Sequence, residues 1–481
     1  MAKKLTLGPV NRVEGDLEVQ LSVEHDKVKA AYIKSTLYRG FENLLVGKVP
    51  MDALAIVPRI CGICSVSQSV AAASAINDLT GTPMTENGEH VTNIILATEV
   101  IADLLTHFYL FFMPDFTHPC YQNESWAEET AERFTAVKGS RHGQMLKSRA
   151  EFLHIMGILA GKWPHSMVFQ PGGVSKVVSM SEQMKLLGIV NNFKVFLESA
   201  LFGDKLENVT QISSLEQLEC WHQQQDGFAS DLSLFLTLSN SLSLESFGAS
   251  ANNFLSFPSY QQQQQAHYPG GVIINNKTYP LDTKHIDEQL DFSKLHGSHS
   301  HPSEGVTQPD INKENAYTWC KAPRYQQQVM ETGSIARQLL ANDPLAVSLV
   351  NHSGANIQNR IVLRLIEMAQ LTLNIEQWLM AIKPNDDFCH HQPLPKEGIG
   401  MGLTEAARGA LGHWLKVENG KIVNYQLIAP TSWNFSPRDN LGAPGALEQA
   451  LAGIDYKTDK DKQKLQHIIR SFDPCMLCTV H

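Results

Sequence analysis

The chain has 481 residues, of which 43% are hydrophobic and 18% are charged, so it is long enough to bury a large core. Its formal net charge of −10 excludes the basic face that nucleic-acid binding requires. The segment from Met1 to Pro9 has no apolar stretch, so no secretory signal is expected on this chain. Eight cysteines at this length do not indicate a disulfide framework.

Alternating residues near the N-terminus predict an antiparallel pair of strands. Apolar side chains alternate with polar ones from Leu17 to Val23, a polar turn follows at His25 to Lys27, and the alternation resumes from Val28 to Ile33. The segment from Pro9 to Gly15 lies just ahead and contains Glu14. Taken alone, Glu14 would be interpreted as a solvated glutamate at the entrance of a strand.

Cys61 and Cys64 form a C-x-x-C pair directly before an alanine-rich run, Ser65 to Leu79, which is typical of a helix. A helix entrance presents free backbone N–H groups and a positive dipole end, and these favour thiolates. A longer helical pattern follows from Val91 to Phe112. Since it carries Glu99, Asp103 and His107, it is expected to be a buried core helix and not a membrane span.

The middle of the chain carries fewer signals. Ser179 and Glu182 have the spacing of a capping box, which predicts a helix to about Phe202. The region 206–309 contains a glutamine-rich segment at 261–265 and a histidine-rich patch at His296, His299 and His301. We expect that patch to be a solvated surface insertion and assign the region no chemistry.

Two further elements are predicted before the C-terminus. Apolar residues at helical spacing from Ile357 to Leu379 are typical of the core of a helix bundle. Asn419 and Gly420 between two alternating segments predict a hairpin with a type I′ turn.

Cys475 and Cys478 form a second C-x-x-C pair within the last residues of the chain. Paired motifs of this kind most often hold a structural zinc ion, with the halves a few tens of residues apart. Here residues 65–474 lie between the pairs, so the whole fold would have to assemble the site, as is typical of an active centre. Structural zinc in a signalling or scaffold protein remains an alternative at this point.

The residues around the cysteines resemble a known family. Residues 59–65 and 473–481 are similar to the two cysteine motifs of the nickel–iron hydrogenase large subunit. The resemblance extends to residues 9–15, 38–42, 107–115, 321–325, 331–337, 406–414 and 425–434. It implies an α+β, mainly helical fold, with a central helix bundle, an N-terminal antiparallel β element and a C-terminal hairpin. The whole chain, 1–481, is expected to be one compact domain.

The resemblance also implies the cofactors. Cys61 and Cys475 match the terminal thiolates of nickel, while Cys64 and Cys478 match the thiolates that bridge nickel to an iron carrying cyanide and carbon monoxide. Positions that hydrogen-bond the cyanides correspond to Arg408, Pro430 and Thr431. A magnesium ion is implied at Glu42, His481 and the backbone carbonyl of Leu427, since oxygen and nitrogen donors suit a hard cation.

By the same resemblance, the protein cleaves dihydrogen heterolytically. Cys478 matches the base that accepts the proton, and Glu14 matches the residue that carries it away, which requires a raised carboxyl pKa. Arg408 is expected above the open metal position, with Asp115 and Asp473 as its carboxylate neighbours. A permanently charged guanidinium can polarise and position a ligand but is a poor base.

Once the two pairs are assigned, no cysteine cluster is left in the sequence for electron transfer. The family supplies an iron–sulfur small subunit, so an obligate heterodimer is expected, or a dimer of heterodimers. Gln68 replaces a common histidine, and Ile63 and Phe111 are bulkier than the usual residues of the gas path. These three residues resemble the regulatory, dihydrogen-sensing branch, which turns over slowly, resists oxygen and signals through a histidine kinase. A cytoplasmic location is therefore expected, and an energy-conserving uptake hydrogenase is the alternative.

Overall fold

The computed structural model of the protein describes residues 3–263, 265–479 and 481. In chain order the helices are α1 (Phe41–Leu45), α2 (Asp52–Ile56), α3 (Ser65–Thr80), α4 (Glu86–Thr106), α5 (Ala127–Phe134), α6 (Ser140–Phe152), α7 (His154–Leu159), α8 (Met180–Phe196), α9 (Leu206–Val209), α10 (Leu215–Gln224), α11 (Asp231–Leu242), α12 (Ser334–Leu340), α13 (Pro344–Ser353), α14 (Ile357–Ala381), α15 (Pro430–Asn434), α16 (Ala446–Leu451) and α17 (Asp459–Ser471).

The strands are short and form small antiparallel sheets. They are β1 (Lys3–Leu7), β2 (Leu17–Glu24), β3 (Lys27–Ser35), β4 (Phe169–Gln170), β5 (Gly173–Val174), β6 (Phe254–Ser256), β7 (Ser259–Gln262), β8 (Gln265–Tyr268), β9 (Gly271–Ile274), β10 (Lys277–Tyr279), β11 (Ile286–Gln289), β12 (His299–Ser300), β13 (Ala322–Tyr325), β14 (Gly398–Ala406), β15 (Gly409–Glu418) and β16 (Lys421–Ile428).

The predicted N-terminal strand pair is confirmed as β2 and β3, and β1 adds a third strand beside β2. Alternate residues of β2, beginning with Leu17, are buried, because a strand turns successive side chains to opposite faces of the sheet. The sequence did not reveal β1 because only Leu5 and Leu7 of its five residues are apolar, and it lies at the exposed edge.

Helices α4 and α14 pack against each other in the main hydrophobic core, as their apolar patterns predict. A π-helical turn, His107–Phe112, prolongs α4. By length and composition, the stretch Glu86–Thr117 could cross a membrane, yet 83% of its most apolar window is buried inside the protein. That burial matches the core helix that the charged residues on α4 indicate. The capping box at Ser179 and Glu182 also forms, at the start of α8.

The predicted hairpin at Asn419 and Gly420 is confirmed between β15 and β16, with both turn residues at positive φ (51° and 72°). The C-terminal β element is larger than predicted, because β14 pairs with the other side of β15. The two residues between β14 and β15 are Ala407 and Arg408. Arg408 therefore stands at the tip of a tight turn.

The C-terminal sheet packs closely on α3, the helix that follows the first cysteine pair. A Cβ atom on Gly402 of β14 would collide with the carbonyl oxygen of Ala71, and one on Gly400 would collide with that of Ala75. Only glycine allows the strand to approach the helix backbone so closely. This contact holds the first cysteine pair against the sheet that carries Arg408.

The region 206–309 is more ordered than expected. Helix α11 is largely buried in the main core. Further along the chain, β6 pairs with β9. His296 and His299 are exposed, as expected for the histidine-rich patch, while Gln264 of the glutamine-rich segment lies outside the described residues. The region, to which the sequence assigned no chemistry, contacts the predicted cation site, because Thr307 donates a hydrogen bond to Glu42.

Candidate metal centre

The two C-x-x-C pairs meet in the interior. The four sulfur atoms of Cys61, Cys64, Cys475 and Cys478 all lie within 4.8 Å of one another, and all four residues are buried. The Sγ atoms of Cys61 and Cys475 are 3.4 Å apart, and those of Cys64 and Cys478 are 3.2 Å apart. These separations exceed a disulfide bond of about 2.05 Å. Among the residues that the structure describes, this is the one group of His, Cys, Asp or Glu with a spacing suited to a metal ion.

The four sulfurs fit thiophilic metal ions such as nickel and iron, because thiolates are soft ligands. Hydrogen bonding with Cys475 lowers the pKa of Cys61 well below its usual value and raises those of Cys64 and Cys478 well above it. The Cys61 thiolate is therefore stabilised by the neighbouring Cys64 and Cys478 thiols, which keep their protons. Ionisation of all four thiols in this buried cluster requires a bound cation.

Local structure at both chain ends orients the cysteines. Cys64 is the N-cap residue of α3. Cys475 forms a parallel β-bridge with Glu14, and the N–H group of Met476 donates to the Glu14 carbonyl at 2.7 Å. The last described turn is a 3₁₀ helix, Met476–Thr479, whereas Val480 of the C-terminal motif lies outside the described residues. The N-terminal loop thus fixes the second cysteine pair through its backbone.

Glu14 is half-buried beside the cluster. Burial and the neighbouring Cys61 thiolate raise the pKa of its carboxyl group, although the Arg408 guanidinium opposes that shift. A raised pKa lets a carboxyl group accept and release protons closer to neutral pH. The environment of Glu14 is therefore compatible with the proton-carrying role that the resemblance implies.

Arg408 is buried between two carboxylates. Its guanidinium forms an ion pair with Asp103 and a second one with Asp473, at 3.0 Å from Nη2 to Oδ1. Its Nε also donates to the Asp473 carbonyl at 3.0 Å. Arg408 holds the pKa of Asp473 below its usual value, while burial raises the pKa of Asp103 to about 7. The guanidinium is held rigidly and stays charged.

The expected pairing of Arg408 with Asp115 is wrong. Asp115 instead pairs with Arg12 and with Arg470, whose Nη1 lies 2.7 Å from Oδ2, and it faces His467 at 3.5 Å. The reason is geometric: Asp103 lies on α4 before the π-helical turn, whereas Asp115 follows that turn in a 3₁₀ segment. A carboxylate within the apolar run 100–105 of α4 was the sequence signal that could have identified Asp103.

We expect Asp103→Asn to lower dihydrogen turnover per nickel by about tenfold or more, because a loss of charge beside Arg408 frees the guanidinium to move. Steady-state hydrogen oxidation, normalised to nickel content, measures this. Asp439→Asn is the control, since Asp439 forms a buried ion pair with Arg324 (Nε to Oδ2, 3.2 Å). Equal turnover in the two variants would show that Asp103 contributes only to stability.

The residues predicted to bind a hard cation also come together. Glu42 is 1% exposed and accepts a hydrogen bond from the Leu427 N–H group at 2.9 Å. His481 Nε2 lies 3.8 Å from Glu42 Oε1 and within hydrogen-bonding reach of the Leu427 backbone, while Nδ1 lies 2.9 Å from the Cys478 carbonyl. When Nδ1 carries the proton, Nε2 is free to bind a metal. A carboxylate, a backbone oxygen and an imidazole nitrogen fit a hard divalent cation.

Lys321 is a residue of this second site to which the sequence assigned no role. Its ammonium group lies 3.0 Å from Glu42 Oε1, 2.8 Å from Gln426 Oε1 and 3.3 Å from Glu288 Oε2. Glu42 therefore already has one positive partner, which a bound cation would share. The only sequence signal was the position of Lys321 at the start of the segment 321–325.

The remaining predicted residues lie near the cysteines. Pro430 begins α15, and Thr431 Oγ1 accepts a hydrogen bond from the Cys475 N–H group at 3.3 Å. Ile63 packs against the main core, and Phe111 is half-buried on the π-helical turn. The contacts of these residues with cyanide or with gas stay predictions.

Gln68 is fully buried one turn after Cys64 on α3. Its Oε1 accepts a hydrogen bond from His413 Nε2 at 2.9 Å, and the Tyr425 hydroxyl donates to His413 Nδ1 at 2.7 Å. Burial lowers the pKa of His413 to about 3, so this imidazole is neutral. Gln68 thus belongs to an uncharged hydrogen-bonded chain.

Comparisons with known proteins agree with this geometry. A family model described as nickel-dependent hydrogenase matches residues 39–143 and 116–481. The periplasmic [NiFeSe] hydrogenase large subunit of Desulfomicrobium baculatum is 27% identical, and the match covers 99% of this chain and 95% of that protein. The Hydrogenase-1 large chain of Escherichia coli is 26% identical, with 100% and 95% covered.

The solved structures agree in fold along the whole chain. The Ni-Fe-Se hydrogenase from D. vulgaris Hildenborough in the reduced state matches with a TM-score of 0.85 at 26% identity, and each chain is covered completely. A nickel-dependent family model over most of the chain argues against a structural-zinc scaffold. With four cysteine sulfurs gathered from both chain ends and this full-length similarity, the chain belongs to the nickel-dependent hydrogenase family, as a large subunit.

Proposed function

We propose that this hydrogenase large subunit pairs with an iron–sulfur small subunit and cleaves dihydrogen slowly, as a cytoplasmic sensor that controls the expression of hydrogenase genes. The observation that carries the sensing role is the buried, uncharged chain of Gln68, His413 and Tyr425 one helical turn from Cys64. A glutamine cannot carry a proton as a histidine can. The surroundings of the first cysteine pair thus suit the detection of dihydrogen more than rapid proton transfer.

The proposed cofactor is a nickel–iron centre with cyanide and carbon monoxide on iron. Cys61 and Cys475 would hold nickel, Cys64 and Cys478 would bridge the two metals, and Arg408, Pro430 and Thr431 would surround the cyanides. The centre supplies the binding and oxidation of dihydrogen. A magnesium ion at Glu42, Leu427 and His481 completes the proposal, supported by the oxygen and nitrogen donors that converge there.

The protein side chains then handle the proton. Cys478 accepts it at the sulfur atom, and Glu14 receives it in turn, which its raised pKa supports. Arg408 keeps its charge and orients the open position through its two carboxylates, Asp103 and Asp473. Asp115 pairs with Arg12 and Arg470 and has no part in orienting Arg408 in this proposal.

Oxygen resistance is part of the same proposal and depends on Ile63 and Phe111. Because protein interiors are packed nearly as densely as crystals, bulky side chains can obstruct a passage for dioxygen more than for the smaller dihydrogen. The partner that receives the signal would be a histidine kinase. The main alternative is an uptake hydrogenase, since the uptake hydrogenase large subunit of Rhodobacter capsulatus is 25% identical to this chain.

Deletion of the gene in its host separates the two roles. We expect hydrogenase genes to lose their induction by dihydrogen, while an intact second hydrogenase, expressed from a constitutive promoter, still supports growth on dihydrogen. Transcript levels with and without the gas measure the first effect. The purified heterodimer should contain nickel and iron in about equal amounts and keep its slow activity in air. Loss of growth with unchanged transcription would favour the uptake role.

A further inference from the structure

Glu99 on α4 is a fully buried carboxylate that belongs to none of the motifs discussed above; it is 2% exposed. Its two oxygens contact the first turn of α3, directly after the metal-binding residue Cys64. Oε2 accepts from the Val66 N–H group at 2.8 Å, and Oε1 accepts from the Ser67 N–H group at 2.9 Å and from the Ser67 hydroxyl at 3.0 Å. A buried carboxylate thus caps the helix that begins at Cys64.

The same carboxylate also binds a separate loop. The indole N–H group of Trp163 donates to Glu99 Oε2 at 3.0 Å. Two residues later, the His165 N–H group donates to the Ser65 hydroxyl at 3.4 Å, and His165 Nδ1 lies 3.0 Å from the Pro58 carbonyl. Glu99 therefore joins α3, α4 and the loop around Trp163 on one side of the first cysteine pair.

Glu99 also lies one helical turn before Asp103, the partner of Arg408. Residues four apart share a face of a helix. A single face of α4 thus presents one carboxylate to the start of α3 and another to Arg408. The start of α3 and Arg408 are therefore both held by the same helix.

The hydrogen-bond pattern requires acceptor oxygens on both arms of the side chain. Backbone and indole N–H groups can only donate, and they contact both oxygens of Glu99. Burial raises the pKa of Glu99 to about 8, and these donors oppose that shift. In a glutamine the NH₂ group would face an N–H donor, so the amide cannot reproduce the pattern.

We propose that Glu99 is a positioning residue of the metal centre, which fixes the start of α3 so that the Cys64 sulfur is held in place. This inference rests on the proposed nickel–iron centre. The position of the Cys64 sulfur would decide how well the thiolate donates electrons to the iron and so would affect the bonds of its carbon monoxide ligand.

Glu99→Gln in the purified heterodimer tests the proposal. We expect turnover per nickel to fall by about tenfold, as is typical when a partner of a metal ligand is lost. We also expect the infrared band of iron-bound carbon monoxide to shift, because the start of α3, and with it the Cys64 sulfur, loses its fixed position. A residue that only supports folding would lower the yield of protein without a shift of this band.

Glu448→Gln is the matched control. Glu448 is 1% exposed, accepts from the Ile33 N–H group at 3.0 Å and from the Tyr317 hydroxyl at 2.8 Å, and burial raises its pKa to about 7. The chemical change is therefore the same, but none of these contacts is with the start of α3. Its infrared band and turnover should equal those of the wild type.

A second variant covers the case in which Glu99→Gln loses its metals. Trp163→Phe removes one donor to the carboxylate and keeps the others, and its band and turnover should both differ from the wild type. The inference would be overturned if Glu99→Gln had the bands and turnover of the wild type. If Glu99→Gln holds no metal, the same result in Trp163→Phe would overturn it. Absence of nickel and iron from the wild-type protein would instead overturn the proposed function.

Discussion

Replacement of Cys478 by serine should abolish dihydrogen turnover. The Cys478 sulfur lies 3.2 Å from those of Cys64 and Cys475, and the proposed function assigns it the role of a bridging thiolate. A serine oxygen is a hard donor with a high pKa, so it cannot replace a soft, shared thiolate. Hydrogen oxidation should fall below detection, and elemental analysis should show nickel, iron or both reduced.

Cys320→Ser is the control for this prediction. Cys320 is also fully buried, but it lies outside the cluster, and its Sγ donates to the Lys321 carbonyl at 3.1 Å, a bond that a hydroxyl can keep. Wild-type activity and metal content are expected in this variant. If Cys478→Ser retained nickel, iron and activity, the assignment of the four cysteines to the metal centre would be wrong.

Glu14→Gln should stop turnover while the metal centre stays assembled. The amide keeps the shape of the side chain but has no proton to transfer at any accessible pH. Because the backbone of Glu14, and not its side chain, bonds to Met476, the second cysteine pair should remain in place. We therefore expect the infrared bands of the iron ligands to persist while proton–deuterium exchange is lost.

The comparison for this variant is Glu89→Gln. Glu89 is also a half-buried glutamate whose pKa is raised by burial, and it accepts a hydrogen bond from the Gln263 N–H group at 2.9 Å, away from the cysteines. Its exchange activity should not change. Unaltered exchange in Glu14→Gln would mean that the proton leaves the cluster by another route.

Local elements were predictable because their signals are local. The type I′ turn at Asn419 and Gly420 needs two residues that tolerate positive φ, and the capping box needs Ser179 and Glu182 three positions apart. Neither depends on the rest of the fold. The strand β1 was not predicted, since an exposed edge strand shows little alternation.

The residues of the cysteine pairs were also evident, because C-x-x-C spacing and the neighbouring residues are contiguous in the chain. Their meeting was inferred from resemblance, and the structure supplies the physical cause. Backbone pairing of Glu14 with Cys475 joins the two chain ends, and the glycines of β14 let the sheet approach α3.

The sequence by itself determined the cysteine pairs, the presence of the main core helices, the hairpin turn and the family, because each depends on residues that are neighbours along the chain. Only the tertiary structure decided which carboxylate pairs with Arg408, since Asp103 and Asp115 are equally plausible partners by type. The choice follows from the π-helical turn that separates them. Contacts between distant segments likewise placed Lys321 beside Glu42 and Glu99 behind Cys64, because burial and charge pairing act through space and leave no spacing rule in the sequence.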